Sequence, residues 1–93
     1  MLETRVRLVN PLGLHARAAA KLVRCASQFS SEIMLCRLPS EDRANARSIL
    51  DLLALGASFG TTIHITAHGE DEVKALEYIS RLLETGFGEI QTL

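Results

Sequence analysis

The spacing of apolar residues along this chain switches repeatedly between a period of two and a period near 3.6. Few small folds accommodate the order in which it switches. Residues 2–8, Leu2-Glu3-Thr4-Arg5-Val6-Arg7-Leu8, put Leu2, Thr4, Val6 and Leu8 on one face, the pattern of a half-buried strand. Asn10-Pro11-Leu12-Gly13 is turn chemistry. From Ala16 to about Ser27 the set Ala16, Ala19, Ala20, Val23 and Ala26 recurs at helical spacing, which predicts an amphipathic helix with Arg17, Lys21 and Arg24 on its polar face. Ser31 to Leu38 reads as a second strand around Ile33 and Leu35. After the turn Pro39-Ser40-Glu41-Asp42, residues Arg43 to Ala46 read as a short third strand. Ser48-Ile49-Leu50-Asp51 has the capping-box pattern and opens a short helix to Leu55, with Gly56 where a helix C-terminal glycine belongs. Thr62 to His68 alternates as a fourth strand. Glu70 to Thr85 is a second long helix. Its first turn is expected to hold Glu70, Asp71 and Glu72, where the helix dipole favours anions, and its apolar stripe Val73, Leu76, Ile79 and Leu83. Glu70–Lys74 and Glu77–Arg81 are candidate i,i+4 ion pairs, and Gly86 ends the helix. The order β-α-β-β-α-β-α suits an α+β fold, with three helices on one face of a four-stranded, mostly antiparallel sheet.

A length of 93 residues leaves room for one core, so residues 1–93 read as a single domain. Apolar residues at 47% and charged residues at 23% suit a soluble globular chain rather than a disordered one. No uninterrupted apolar stretch exceeds four residues, so no membrane span is expected. Residues 1–15 lack the apolar core of a secretion signal. The two cysteines, Cys25 and Cys36, are too few for a disulfide scaffold and read as thiols of a cytoplasmic protein. The net charge of −1 hides an asymmetry: residues 1–50 carry net +4 and residues 51–93 net −5. A neutral total excludes a broad nucleic-acid footprint, whereas a local basic patch near the N-terminus suits a small anion or an acidic partner.

His15 is the residue with most chemical content. It stands at the entry to the first helix, where Ser, Thr, Asp or Asn are usual, and Arg17 follows in the first turn. A helix start offers free N–H groups and the positive end of the dipole, so imidazole and guanidinium together there could hold a phosphoryl group. A neutral imidazole nitrogen is a competent nucleophile. From spacing alone a second reading stands beside this one: an exposed loop histidine next to a solvated basic helix face. The short helix carries another signal. Ile49, Leu50, Leu52, Leu53 and Leu55 surround nearly its whole circumference, while packing on a sheet buries one side only. Some of Ile49, Leu50 and Leu53 are therefore expected to face water, as a docking surface does, unless flanking segments cover them. His64 and His68 share a strand face without a ligand cluster around them and read as solvated. No G-x-x-x-x-G-K-[ST] loop, G-x-G-x-x-G motif or nucleophile elbow is present.

Gly13-Leu14-His15-Ala16-Arg17-Ala18-Ala19-Ala20 resembles the active-site signature of the histidine-containing phosphocarrier (HPr) family of the bacterial phosphoenolpyruvate-dependent phosphotransferase system. The likeness continues through Phe29-Ser30-Ser31-Glu32-Ile33, resumes from Ala46 to Gly56 and at Gly60-Thr61, and reaches Glu70-Asp71-Glu72. The resemblance implies an open-faced β-sandwich of order βαββαβα. It implies that His15 accepts a phosphoryl group on Nδ1 from enzyme I and passes it to an enzyme IIA domain, with Arg17 stabilising the phosphate. Such a carrier is stoichiometric rather than an enzyme, acts as a monomer, and needs no cofactor or metal. Ser48 matches the family's regulatory serine, the target of HPr kinase/phosphorylase, and Ile49, Leu50 and Leu53 match its apolar docking positions. Lys21 and Arg24 would join Arg17 in steering partners, with the acidic second half facing away. The chain departs from the family in having Ala18 where Pro is usual, and in about two extra residues between Ile33 and Ser48. The tail Glu84-Thr85-Gly86-Phe87-Gly88-Glu89 is more like that of the nitrogen-branch paralogue, NPr. The alternatives are a nitrogen-branch carrier, a small phosphohydrolase using His15 and Arg17, or a regulatory binding module that is not phosphorylated.

Overall fold

The computed structural model describes residues 1–89; residues 90–93, the end of the expected single domain, lie outside the described residues. The elements are β1 (Leu2–Arg7), α1 (Ala16–Ala26), β2 (Glu32–Leu38), β3 (Asp42–Asn45), α2 (Ile49–Leu55), β4 (Thr62–His68) and α3 (Glu72–Glu84), then a 3-10 turn at Gly86–Gly88. The strands form one antiparallel sheet of order β1-β4-β2-β3. Cross-strand pairs Val6–Ile63, Leu35–Ile65, Ile33–Ala67 and Leu35–Ala44 place the buried residues on one face, which the helices cover. The alternation read in the sequence is what selects that face, since a one-residue slip would turn every buried side chain outward. Cys25 and Cys36 are half-buried free thiols. Among the described residues no helix is long and apolar enough to cross a membrane.

The element order matches expectation, but the phase of both long helices is corrected. Helix α1 buries Ala18, Ala19, Leu22 and Ala26, while Ala16 is exposed and Ala20 and Val23 are half-buried. With five alanines in the segment, several stripes are almost equally apolar; Leu22, the bulkiest candidate, settles the rotation by going fully inside. Helix α3 buries Ala75, Ile79 and Leu83, leaving Leu76 half-buried and Val73 66% exposed. Val73 lies six residues before Ile79, about 120° around the helix and off the buried face. Glu77–Arg81 closes at 3.3 Å, but Glu70 precedes the helix and forms no ion pair with Lys74.

Asp71 also departs from expectation. It occupies the N-cap position of α3, yet its side chain does not cap the helix. Its carboxylate instead accepts hydrogen bonds from the Ser31 hydroxyl, Ser30 N–H (2.9 Å) and Ser31 N–H (3.0 Å), tying the start of α3 to the α1–β2 loop. The Ser31 hydroxyl and then the Ser30 amide hold the Asp71 carboxyl at about 2, below its ordinary 3.8. A carboxyl depressed in the folded state contributes stability that is complete above its unfolded value and fades as pH falls through its folded one. Asp71→Asn should lower the melting temperature by a few degrees at neutral pH. The gap from the parent should close between pH 4 and 2, which a pH series of thermal melts checks.

Two clamps position α2. Ser48 caps it by accepting the Asp51 N–H at 3.2 Å, and Gly56 ends it in the left-handed region at φ 65°. The capping box is only half formed, because the Asp51 carboxylate turns back to Asn45 N–H (3.2 Å) rather than to the Ser48 amide. The Arg47 guanidinium donates to the carbonyls of Ala26, Phe29 and Ser31, fastening the α2 entry to the end of α1.

Candidate functional site

The loop between β1 and α1 is pressed against the segment after α2. Gly13 sits at φ +61°, and a Cβ there would meet the Ala57 carbonyl oxygen at 2.6 Å, so only glycine fits the position without strain. The same close approach lets Leu14 N–H donate to Ala57 O at 2.9 Å. The next residue, His15, is the N-cap of α1, with extended backbone and its Nδ1 accepting the Arg17 N–H at 3.3 Å. Ala19 N–H bonds to the His15 carbonyl, and the amides of Ala16 and Ala18 have no acceptor among the described residues. Ala18 thus adds one more unsatisfied donor to this helix start, which a proline there would lack.

The other nitrogen of the ring faces a residue that the sequence reading missed. Glu89 Oε2 lies 2.6 Å from His15 Nε2, and Glu89 Oε1 accepts from Asn10 Nδ2 at 3.0 Å. Asn10 is fully buried, and its amide also donates to the Gly13 carbonyl at 2.7 Å. Partial burial works against the Glu89 charge. Hydrogen bonds from Asn10 and His15, and the charges of His15 and Lys21, outweigh it, so the carboxyl lies below its ordinary range. Glu89 comes from the acidic second half of the chain, yet it touches the imidazole. No local motif reports a contact 74 residues apart; the glycines flanking Phe87 are the one hint of a sharp turn there.

Pro11, Leu12, His15, Arg17 and Glu89 line an open depression, with Arg17 exposed and Leu12 71% exposed at its rim. Arg24 is exposed on α1, whereas Lys21 is half-buried and its ammonium donates to the Phe87 carbonyl at 2.6 Å. On α2, Leu52 and Leu55 are buried, while Ile49, Leu50 and Leu53 are 40%, 76% and 41% exposed. The flanking segments do not cover them. Ser48 is half-buried at the start of this apolar face. His64 lies elsewhere, on the open face of the sheet, with Nε2 2.9 Å from Glu3, and His68 is exposed.

The description "PTS HPr component phosphorylation site" matches residues 2–85 of the chain. Phosphocarrier protein HPr of Xylella fastidiosa (strain Temecula1) is 45% identical over 89 residues, which cover 96% of this chain and 98% of the relative. Phosphocarrier protein NPr of Shewanella violacea is 43% identical over 88 residues, covering 95% and 94% of the two chains. A crystal structure of HPr from Thermoanaerobacter tengcongensis has a TM-score of 0.89 at 38% identity, over 98% of this chain and 100% of that one. The resemblance read along the sequence is thus matched by the family over residues 2–85, and the chain belongs to the HPr family of phosphocarrier proteins.

Proposed function

We propose that His15 is the residue through which this phosphotransferase-system phosphocarrier works, taking a phosphoryl group on Nδ1 from enzyme I and handing it to an enzyme IIA domain. One observation carries the reading: Nδ1 accepts the Arg17 N–H, so it bears a lone pair directed at a helix start with unsatisfied amides. As that lone pair forms the N–P bond, the donor's bond to phosphorus breaks and the donor keeps its electron pair. The displaced Arg17 amide and its neighbours at Ala16 and Ala18 then have phosphate oxygens to meet. The Arg17 guanidinium, free in solvent, adds charge-assisted bonds to the same oxygens.

The partners dock on the joint surface of α1 and α2. Ile49, Leu50 and Leu53 supply the apolar contact, and Arg17, Lys21 and Arg24 the positive charge, with Lys21 held by the Phe87 carbonyl. The site can assemble within one chain, since Asn10, His15 and Glu89 bond to one another there and Arg17 stands beside them. The chain is a stoichiometric carrier whose partners supply the catalysis, and its free thiols suit the cytoplasm. Mixing it with enzyme I and labelled phosphoenolpyruvate tests this. A carrier accumulates acid-labile, alkali-stable phosphate one-to-one, a hydrolase releases phosphate, and a binding module does neither.

Ser48 is the regulatory position in this scheme, the substrate of an HPr kinase/phosphorylase. A phosphate there adds close to two negative charges beside the docking leucines, while the helix start tolerates the anion. Ser48→Asp keeps a good N-cap, so its melting temperature should stay within a few degrees of the parent. Its phosphorylation by enzyme I should slow about tenfold, as an acidic partner now meets a like charge. Stopped-flow transfer rates at matched salt check this; equal rates would leave Ser48 as a cap only.

A further inference from the structure

Resting on the assignment of His15 as phosphoryl acceptor, we infer that Glu89 is a positioning residue that fixes the tautomer and orientation of the His15 ring. Two contacts from opposite ends of the chain demand the same tautomer. A carboxylate oxygen 2.6 Å from Nε2 requires a hydrogen on that nitrogen, since two lone pairs cannot meet at that distance. The Arg17 amide donating to Nδ1 requires a lone pair there. With hydrogen on Nε2, Nδ1 is left as the nucleophilic nitrogen.

The fold accepts two unfavourable features, and both bear on Glu89. Asn10 commits its amide nitrogen to Gly13 O and Glu89 Oε1, and its buried Oδ1 is left with no partner among the described residues. Gly86, Phe87 and Gly88 follow one another at φ 64°, 58° and 74°, and Phe87 takes a conformation that L side chains rarely adopt. The turn is held there by the Phe87 ring, 1% exposed in the core, and by Lys21 on the Phe87 carbonyl. An over-determined, strained turn beside a reactive group is a feature of sites that need a fixed geometry. Here it delivers Glu89, which lies beyond the residues that the family description matches.

The charge balance gives the carboxylate a further part. When Nδ1 forms its bond to phosphorus, Nε2 keeps its hydrogen and the ring becomes positive, facing the Glu89 anion. When the N–P bond breaks toward the next acceptor, the electron pair returns to Nδ1 and the ring is neutral again. No proton moves in either direction. Carboxylates that orient imidazoles in metal sites are worth about 10–100-fold in activity or affinity.

The test uses the full chain with ¹⁵N-labelled histidine, and the variants Glu89→Gln, Glu89→Ala and Glu89→Asp. At about pH 8, above the ordinary histidine range, the parent should show a pyrrole-type Nε2 and a pyridine-type Nδ1 at His15. A glutamine at this position can match either tautomer and an alanine neither, so only the 3.3 Å bond from the Arg17 amide still favours hydrogen on Nε2, and both variants should shift toward averaged nitrogen values. Phosphorylation by charged enzyme I should slow about tenfold in both, with thermal unfolding little changed. Glu89→Asp should recover part of the single-tautomer spectrum and of the rate. Parent-like nitrogen shifts in Glu89→Gln and Glu89→Ala, or parent-like rates, would overturn the assignment. An unphosphorylated parent would defeat the His15 reading instead, and the nitrogen shifts would still decide what Glu89 does.

Discussion

Replacing His15 with Ala should abolish phosphate incorporation, reducing it to background, while the protein stays folded. The two halves of that expectation have separate causes. In the proposed function the imidazole is the nucleophile, and among the described residues nothing else at the helix start can form an N–P bond; Arg17 offers only donors. For stability, His15 is a weak cap, with a 3.3 Å bond to the Arg17 amide. Losing an N-cap costs about 0.5–2 kcal/mol, and a bond this long belongs at the low end, so a drop of a few degrees is expected. His15→Asn sharpens the comparison, because asparagine caps at least as well and cannot carry the group. Label that persists in either folded variant would place the acceptor elsewhere.

Arg17→Glu should slow phosphoryl transfer in both directions by about 100-fold, the scale set by removing one preorganised donor from a transferring group. It does not weaken the fold. Arg17 is exposed in the first turn of α1, where an acidic residue gains about 0.3–1 kcal/mol from the helix dipole. Transfer falling while the melting temperature holds or rises is a signature that general destabilisation cannot produce. Salt separates contact from steering. A defect caused only by long-range repulsion shrinks as salt approaches about 1 M, where the Debye length is ~3 Å. A defect at the phosphoryl oxygens persists. Parent-like rates would reduce Arg17 to a solvated helix residue.

How much of this was legible in the sequence depends on the range over which each signal acts. Alternation in residues 62–68 and the Ser48–Gly56 punctuation are local, so the strands and α2 were readable, and so was the exposure of Leu50 on a helix apolar all round. The placement of His15 and Arg17 at a helix start was readable because the cap and the two side chains lie within three residues. The rotation of α1 was not, because alanine stripes differ little in apolar area and Leu22 decides only once a sheet is present. Asp71 looked like a helix-start anion. Its bonds to Ser30 and Ser31 exist only after α3 packs beside the α1–β2 loop. Glu89 was the costliest omission. Its contact with His15 depends on the left-handed turn at Phe87 and on a buried Asn10, and neither leaves a periodic trace.

The most direct test of the central claim is the position of the phosphorus. Charged enzyme I should be mixed with ¹⁵N-histidine-labelled protein, and phosphorus and ring-nitrogen spectra recorded before and after. One phosphoramidate per chain is expected, attached to Nδ1 of His15, with Nε2 still bearing its hydrogen and His64 and His68 unchanged. Phosphorus on an oxygen, on Nε2, or on any residue other than His15 would contradict it.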